Sequence, residues 1–247
     1  MSSPPFEFDE IGVWSELKLE IIEKYGAAYT GTAVEGSPAR ALKVTPPFDG
    51  YYFIDLNEDK TDYLKSIVGN RSNVHIHTGD CNQYLTTQLL PTIQFRNFRR
   101  ALCLLDPYGL HLDWEVIRQA GQSKAMDMFL NFPVMDMNRN AIWKNPDTAP
   151  ADGIERMTRF WGDDSWKRVA YVESPQGSLF GPETVKVSND AIVAAFRTRL
   201  KSAAGFEHVA DPLPMKNTRN AVVYYLFLAS QKPVAEKIIT DIFKKYR

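Results

Sequence analysis

The sequence predicts an α/β protein built on a mostly parallel sheet. Three observations carry this. Four short apolar segments each end in a polar residue, at Asp55, Asp80, Asp106 and Asn131. Those ends lie 25, 26 and 25 residues apart. Helical patterns fill the gaps between them. A strand, a helix and two short loops occupy about that length, and a crossover to a parallel neighbour needs at least roughly 10–12 residues. Near-continuous apolar strands are what a parallel sheet covered on both faces requires.

The elements follow in order. Val13 to Tyr29 reads as a helix, with Val13, Leu17, Ile21 and Tyr25 recurring every fourth residue. Gly31 to Ser37 reads as a loop. Ser37-Pro38 then supplies an N-cap and a first-turn proline for a short helix to Leu42. The expected strands are Tyr51–Asp55, Val74–Asp80, Ala101–Asp106 and Ala125–Asn131. The expected helices between them are Asp59–Val68, Asn82–Leu90 and Asp113–Ala120. Pro133 to Pro150 is polar, Met-rich and bounded by prolines, and reads as a long loop. Ile154–Trp161 and Asp190–Ala203 read as helices. Phe206–Ala210 and Ala221–Ala229 read as a strand pair, and Pro233–Tyr246 as a closing helix. The organisation expected is one α/β domain over 1–247: an N-terminal helical segment and loop (1–45), core strand–helix units (46–135) and a C-terminal extension (136–247).

Composition narrows the function. Of the 247 residues 44% are hydrophobic and 24% charged, enough for a sizeable core, and the net charge of −1 argues against bulk duplex nucleic acid as a partner. No window approaches the ~20 apolar residues of a membrane span, and Met1 to Glu10 has neither the basic start nor the apolar run of a signal peptide. The expected location is the cytoplasm, with no membrane partner. The two cysteines, Cys81 and Cys103, are too few for a disulfide framework and form no CxxC pair.

In open α/β sheets ligands bind outside the carboxyl ends of the strands, where Asp55, Asp80, Asp106 and Asn131 all fall. A carboxylate at the end of the second strand suits a pair of ribose hydroxyls, since its two oxygens accept both O–H bonds. Gly79-Asp80 suits an exocyclic amine, with Gly79 allowing close approach. Asp106-Pro107-Tyr108-Gly109 offers an acceptor, a fixed turn and a stacking face, fit to orient an amine or hydroxyl for attack. The plain alternative for each carboxylate is a cap on the following helix or an Asx-turn. The stretch from Asn131 to Arg139 adds amides, a carboxylate and a cation, with Asn131, Asn138 and Arg139 as candidate substrate contacts. His75 and His77 share one strand face, but no third ligand is evident, so no metal site is expected. Arg96, Arg99 and Arg100, interleaved with Phe95 and Phe98, could touch a phosphate backbone, or form a solvated loop before a strand.

Taken together, Glu35-Gly-Ser-Pro-Ala-Arg-Ala-Leu42, Phe53-Ile-Asp55, Gly79-Asp80, Leu105-Asp-Pro-Tyr-Gly109, Leu130-Asn-Phe-Pro133 with Asn138-Arg139, and the late Tyr224–Ala229 strand resemble the three-Cys-motif partner family, TcmP. The resemblance covers most of the chain from about Trp14 onward. It implies a bacterial protein with the Rossmann-like, mostly parallel sheet of class I S-adenosylmethionine methyltransferases, working beside a protein with a three-cysteine motif like that of radical S-adenosylmethionine enzymes. In that frame Asp55 would hold the ribose of S-adenosylmethionine, Gly79 and Asp80 the adenine, and Asp106, Pro107 and Tyr108 the methyl-accepting end.

The sequence departs from the family pattern in one respect. The family's first strand and its glycine loop have no counterpart, because Tyr25-Gly-Ala-Ala-Tyr-Thr30 runs directly into Gly31-Thr-Ala-Val-Glu-Gly-Ser37. Two readings therefore stand: a methyltransferase-like enzyme acting on nucleic acid or another polar substrate, and a non-catalytic binding module that serves the three-cysteine partner. A nicotinamide-dependent oxidoreductase is disfavoured, since no G-x-G-x-x-G follows a strand.

Overall fold

The computed structural model describes residues 37–173 and 184–247. The helix expected over Val13–Tyr29, the loop at Gly31–Gly36 and the missing-strand region between Tyr25 and Ser37 lie outside the described residues.

The chain opens with the short helix α1 (Ser37–Ala41). Two strand–helix units follow: β1 (Tyr51–Asp55), α2 (Glu58–Val68), β2 (Val74–Thr78) and α3 (Cys81–Tyr84). Helix α2 is capped at both ends. The Asn57 side chain accepts the Lys60 amide, and Gly69 donates its N–H to Lys65 O. Helix α3 runs on into a π-turn over Leu85–Leu89 and a 3₁₀ turn over Leu90–Thr92, where Pro91 ends the α-pattern. Then come β3 (Ala101–Leu105), α4 (Trp114–Gln122), β4 (Met126–Phe132), α5 (Val134–Asn140), α6 (Ala151–Trp161) and α7 (Trp166–Ala170). A small antiparallel pair, β5 (Tyr171–Glu173) and β6 (Thr184–Lys186), precedes α8 (Asn189–Ser202), β7 (His208–Val209), β8 (Leu213–Lys216), β9 (Val222–Ser230) and α9 (Pro233–Phe243).

The main sheet is mixed, in the order β3-β4-β9-β7, with β8 pairing the first part of β9. β3 and β4 are parallel, and β9 runs antiparallel to β4. Its two central strands are largely apolar because both faces are covered, with Asp127 and Asn131 of β4 and Ser230 of β9 as the exceptions. Leu130, Phe132, Tyr225 and Phe227 face a core shared with α4, α6 and α8. Phe129, Leu226 and Leu228 face a second core closed by Ile239 and Phe243 of α9. This is the period-2 alternation of a strand buried on both sides. Phe196 of α8 forms the hub of the first core, with ring centroids 4.6 Å from Phe132, 5.4 Å from Trp161, 5.6 Å from Phe227 and 6.1 Å from Trp114.

The expectation of four strands in one parallel sheet is met only as two parallel pairs. β1 and β2 form their own two-stranded sheet, and no ladder joins β1 to β3 among the described residues. Side chains hold the pair instead: Ile54 and Cys81 pack on the main core, and Leu85, Leu90 and Ile93 are part of it.

The long loop expected over Pro133–Pro150 is corrected at its start. Val134 and Met137, three residues apart, are fully buried with Ala141 and Ile142, and that apolar spacing winds residues 134–140 into α5 behind Pro133. Strand β8 and helix α7, neither expected from sequence, complete the edge and the α6–α8 connection. Helix α6 approaches α5 so closely that a Cβ on Gly153 would lie 1.7 Å from the Asn140 carbonyl oxygen. Backbone cannot yield there as a side chain would. Gly153→Ala is therefore expected to lower the unfolding free energy by about 3 kcal/mol or more, read from urea denaturation.

Candidate functional site

The carboxyl ends of β1 to β4 carry the site residues predicted from sequence, and local backbone demands explain their placement. Asp55 closes β1 and accepts the Asn57 N–H at 2.8 Å, turning the chain into α2. Asp80 follows β2 and accepts the Asn82 N–H at 2.7 Å as the N-cap of α3. The plain alternatives are thus realised for both carboxylates, as a turn before the Asn57 cap of α2 for Asp55 and as the helix cap itself for Asp80. Both residues are exposed, and among the described residues their second oxygens take no hydrogen bond. The two strand ends are tied by the Gly79 N–H, which donates to Asp55 O at 3.0 Å. Gly79 sits at φ +157, and a Cβ there would lie 2.8 Å from His77 Nε2.

Asp106, just past β3, accepts a hydrogen bond from the buried Asn131 amide, which reaches across from β4. This brings two predicted residues together. A third, Tyr224 of β9, was passed over as a site residue. Its phenol is pushed well above its ordinary range, first by burial and then by the nearby Asp106 charge. Pro107 and Tyr108 carry the chain outward. Tyr108 is 92% exposed, its ring 6.4 Å from the His111 imidazole.

The turn after Tyr108 is held from below. Gly109 has φ +60, and a Cβ there would lie 2.6 Å from Asp136 Oδ2. That same oxygen accepts the Leu110 N–H at 3.0 Å, while Asp136 Oδ1 accepts the Asn140 amide at 2.7 Å. Asp136 lies inside the quoted Asn131–Arg139 stretch, and its i, i+4 spacing to Asn140 was the available signal. Asn82 was missed too. Its Nδ2 donates to His111 O at 2.9 Å and its Oδ1 accepts the Asp113 N–H at 2.8 Å. Nothing in Asp80-Cys-Asn82 marks that reach across about 30 residues of chain.

Asn138 and Arg139 are not brought to this group by any recorded side-chain bond. Asn138 donates to Asn189 Oδ1 at 3.1 Å and accepts from Lys186 Nζ at 2.6 Å, binding α5 to β6 and α8. Arg139 is exposed, and its carbonyl accepts the Trp143 indole N–H at 2.7 Å. Burial as the only cause lowers the Lys186 ammonium from its ordinary value. His75 and His77 stack on Tyr52 and Tyr84 at 4.7 and 4.1 Å, and no cluster of metal-ligating side chains occurs among the described residues.

The carboxyl edge is acidic. Asp55, Asp80 and Asp106 follow the ends of β1, β2 and β3, and Asp113 precedes α4, with Arg159 of α6 3.6 Å from Asp113. Such an edge favours hydroxyl, amine or cationic groups over phosphate. Beneath it, burial and then the Asp80 charge raise the Cys81 thiol, while burial pushes Cys103 up to about 12, with Cys81 adding to it. The chain matches no known family model. A search of curated proteins returns no match either. No helix among the described residues is long and apolar enough to cross a membrane.

Two outcomes follow from this geometry. Asp136→Ala leaves the buried Leu110 N–H without its acceptor and should cost about 1–3 kcal/mol in urea unfolding, whereas Asp136→Asn, which keeps an acceptor oxygen, should cost less. In thiol labelling at pH 8, Cys103 should react far more slowly than Cys81, since the thiolate is the reactive species. Equal rates would show that the interior around Cys103 opens readily.

Proposed function

We propose that the carboxyl edge of β1–β4 is a nucleoside-binding crevice of the class I methyltransferase type, in a protein like the three-Cys-motif partners, with S-adenosylmethionine as its cofactor. The finer fold assignment, Rossmann-like with the family's first strand and its glycine loop missing from the sequence, belongs to the same proposal. One observation carries it: exposed carboxylates with a spare oxygen end the adjacent parallel strands β1 and β2, tied by the Gly79 to Asp55 bond.

The residues fit the nucleoside end of that cofactor. Asp55 accepts ribose hydroxyls through its free oxygen, and Gly79 with Asp80 receives the adenine amine. Among the described residues no glycine loop stands ready for the methionine end. When bound, S-adenosylmethionine supplies an electrophilic methyl group. This chain's own part is to hold the acceptor: Asn131 fixes the Asp106 carboxylate, which accepts an N–H or O–H of a polar substrate such as a nucleobase, and Tyr108 offers it a stacking face.

A second reading has its own support. Asp80 spends one oxygen capping the next helix and Asp55 spends one on the turn that leads to the Asn57 cap, which is a sufficient structural reason for a carboxylate at each place. On that reading the chain is a non-catalytic module serving a three-cysteine partner.

Calorimetry separates the two. Adenosine and S-adenosylmethionine should bind with affinities within about threefold of each other, because the methionine end gains few contacts. Asp55→Asn, which preserves an acceptor for the Asn57 N–H but removes the charge, should weaken both by about tenfold or more. Asp106→Ala should leave that affinity largely unchanged and abolish any methyl transfer. No binding of either ligand would favour the module.

A further inference from the structure

The opposite, amino end of β3 carries a different chemistry. Residues Phe95 to Arg100 form an exposed loop, opening with a 3₁₀ turn over Phe95–Asn97. Phe98 is 94% exposed and stands in the left-handed conformation, φ 57 and ψ 17, with its N–H donating to Phe95 O at 3.0 Å. A bulky residue there is held against its backbone preference, and its ring has no burial to compensate. Phe95 is 54% exposed, and the Arg100 guanidinium lies 4.0 Å over its ring. Arg96 and Arg99 flank Phe98. Among the described residues the Arg99 guanidinium donates only to the Thr92 hydroxyl, at 3.3 Å, the Arg100 guanidinium also donates to Arg99 O at 2.7 Å, and none of the ion pairs uses Arg96, Arg99 or Arg100.

The loop borders a groove of about 440 Å³ between residues 86–94 and α4, lined by the amides of Gln94, Gln119 and Gln122 together with Ser123 and Arg118. The Phe95 N–H donates to Ser123 O at 3.2 Å, fixing the loop to the groove wall. Arg118 is already paired with Glu115 at 2.6 Å, so the free positive charge belongs to the loop.

We propose that this loop and groove bind single-stranded nucleic acid. Exposed rings accept stacked bases, the three arginines meet phosphates, and the amides present both donors and acceptors to base edges. A duplex keeps its bases stacked inside and offers Phe98 nothing. The inference does not rest on the nucleoside crevice: patch and crevice lie at opposite ends of β3, about 16 Å apart for five residues.

The test uses fluorescence anisotropy with labelled single-stranded DNA and RNA of about 12 nucleotides and with the matching duplex. Single strands should bind more tightly than the duplex, with a log–log salt slope of about −2 for three phosphate contacts. Replacing Arg96, Arg99 and Arg100 together by alanine should flatten that slope. Phe98→Asn, which tolerates the left-handed backbone and removes the ring, should weaken binding about 5- to 100-fold and leave the slope unchanged. The positions are exposed, so the urea midpoint of each variant should not fall below that of the parent chain, and Phe98→Asn, which relieves the left-handed backbone, should if anything raise it. Duplex binding as tight as single-strand binding, insensitivity to Phe98→Asn, or capture by phosphatidylserine vesicles but not by single strands would overturn the proposal. Adenosine calorimetry on the Phe98 variant should match the parent chain, which keeps this result distinct from the crevice.

Discussion

The arrangement of the candidate site depends on one carboxamide. Asn82 joins the ends of two strand groups that no ladder connects among the described residues, accepting from the Asp113 N–H and donating to His111 O. A carboxamide can do both at once, from two different atoms, which an acceptor-only carboxylate in its place could not. The bonds sit directly after the Asp80 cap, so the end of β2 and the loop following Asp106 share one anchor. Apolar packing from Leu85, Leu90 and Ile93 supports the anchor from inside. Below the Asp106 turn Asp136 performs a similar service, and the close approach at Gly153 keeps the helix that carries Asp136 in place.

Much of the secondary structure was legible because it rests on local patterning. Strands β1 to β4, helices α2, α4 and α8, β9 and α9 all follow from periodicity, caps and prolines, with ends shifted by at most three residues, whereas the helix expected over Asn82–Leu90 is α-helical only to Tyr84 before it passes into the π- and 3₁₀ turns. What was not legible depends on tertiary context. Helix α5 sits in a stretch whose polar residues suggest a loop, and only the burial of Val134 and Met137 makes it helical. β8 contains Pro214, which discourages a strand, yet it lies at the edge of β9 where a missing N–H is tolerated. The separation of β1–β2 from β3 is a matter of pairing, which spacing along the chain does not encode. Within the site, the strand-end positions were readable, whereas the partners that orient them, Asn82 and Asp136, act over long range and leave no local signature.

Charge is divided along β3. Carboxylates gather at its carboxyl end and arginines at its amino end, so a chain with net charge −1 still offers a cationic surface. An acidic edge suits hydroxyl and amine donors, and an arginine–phenylalanine loop suits phosphates and bases. Neither preference is visible in the overall balance of charge.

The placement of aromatic residues has a practical consequence. Of the tryptophans in the described residues, Trp114, Trp161 and Trp166 are buried beside α8 and the main sheet, and Trp143 lies close by. Arg199 covers Trp114 at 4.7 Å and Trp161 at 5.8 Å. Residues 37–105, with the β1–β2 pair, contain tyrosines but no tryptophan. Indole emission from these four tryptophans therefore reports on the five-stranded core, the fifth tryptophan, Trp14, lying outside the described residues. A partial opening that released β1 and β2 by breaking the Asn82 bonds would be nearly silent in that signal, and would show instead in amide exchange or tyrosine absorbance.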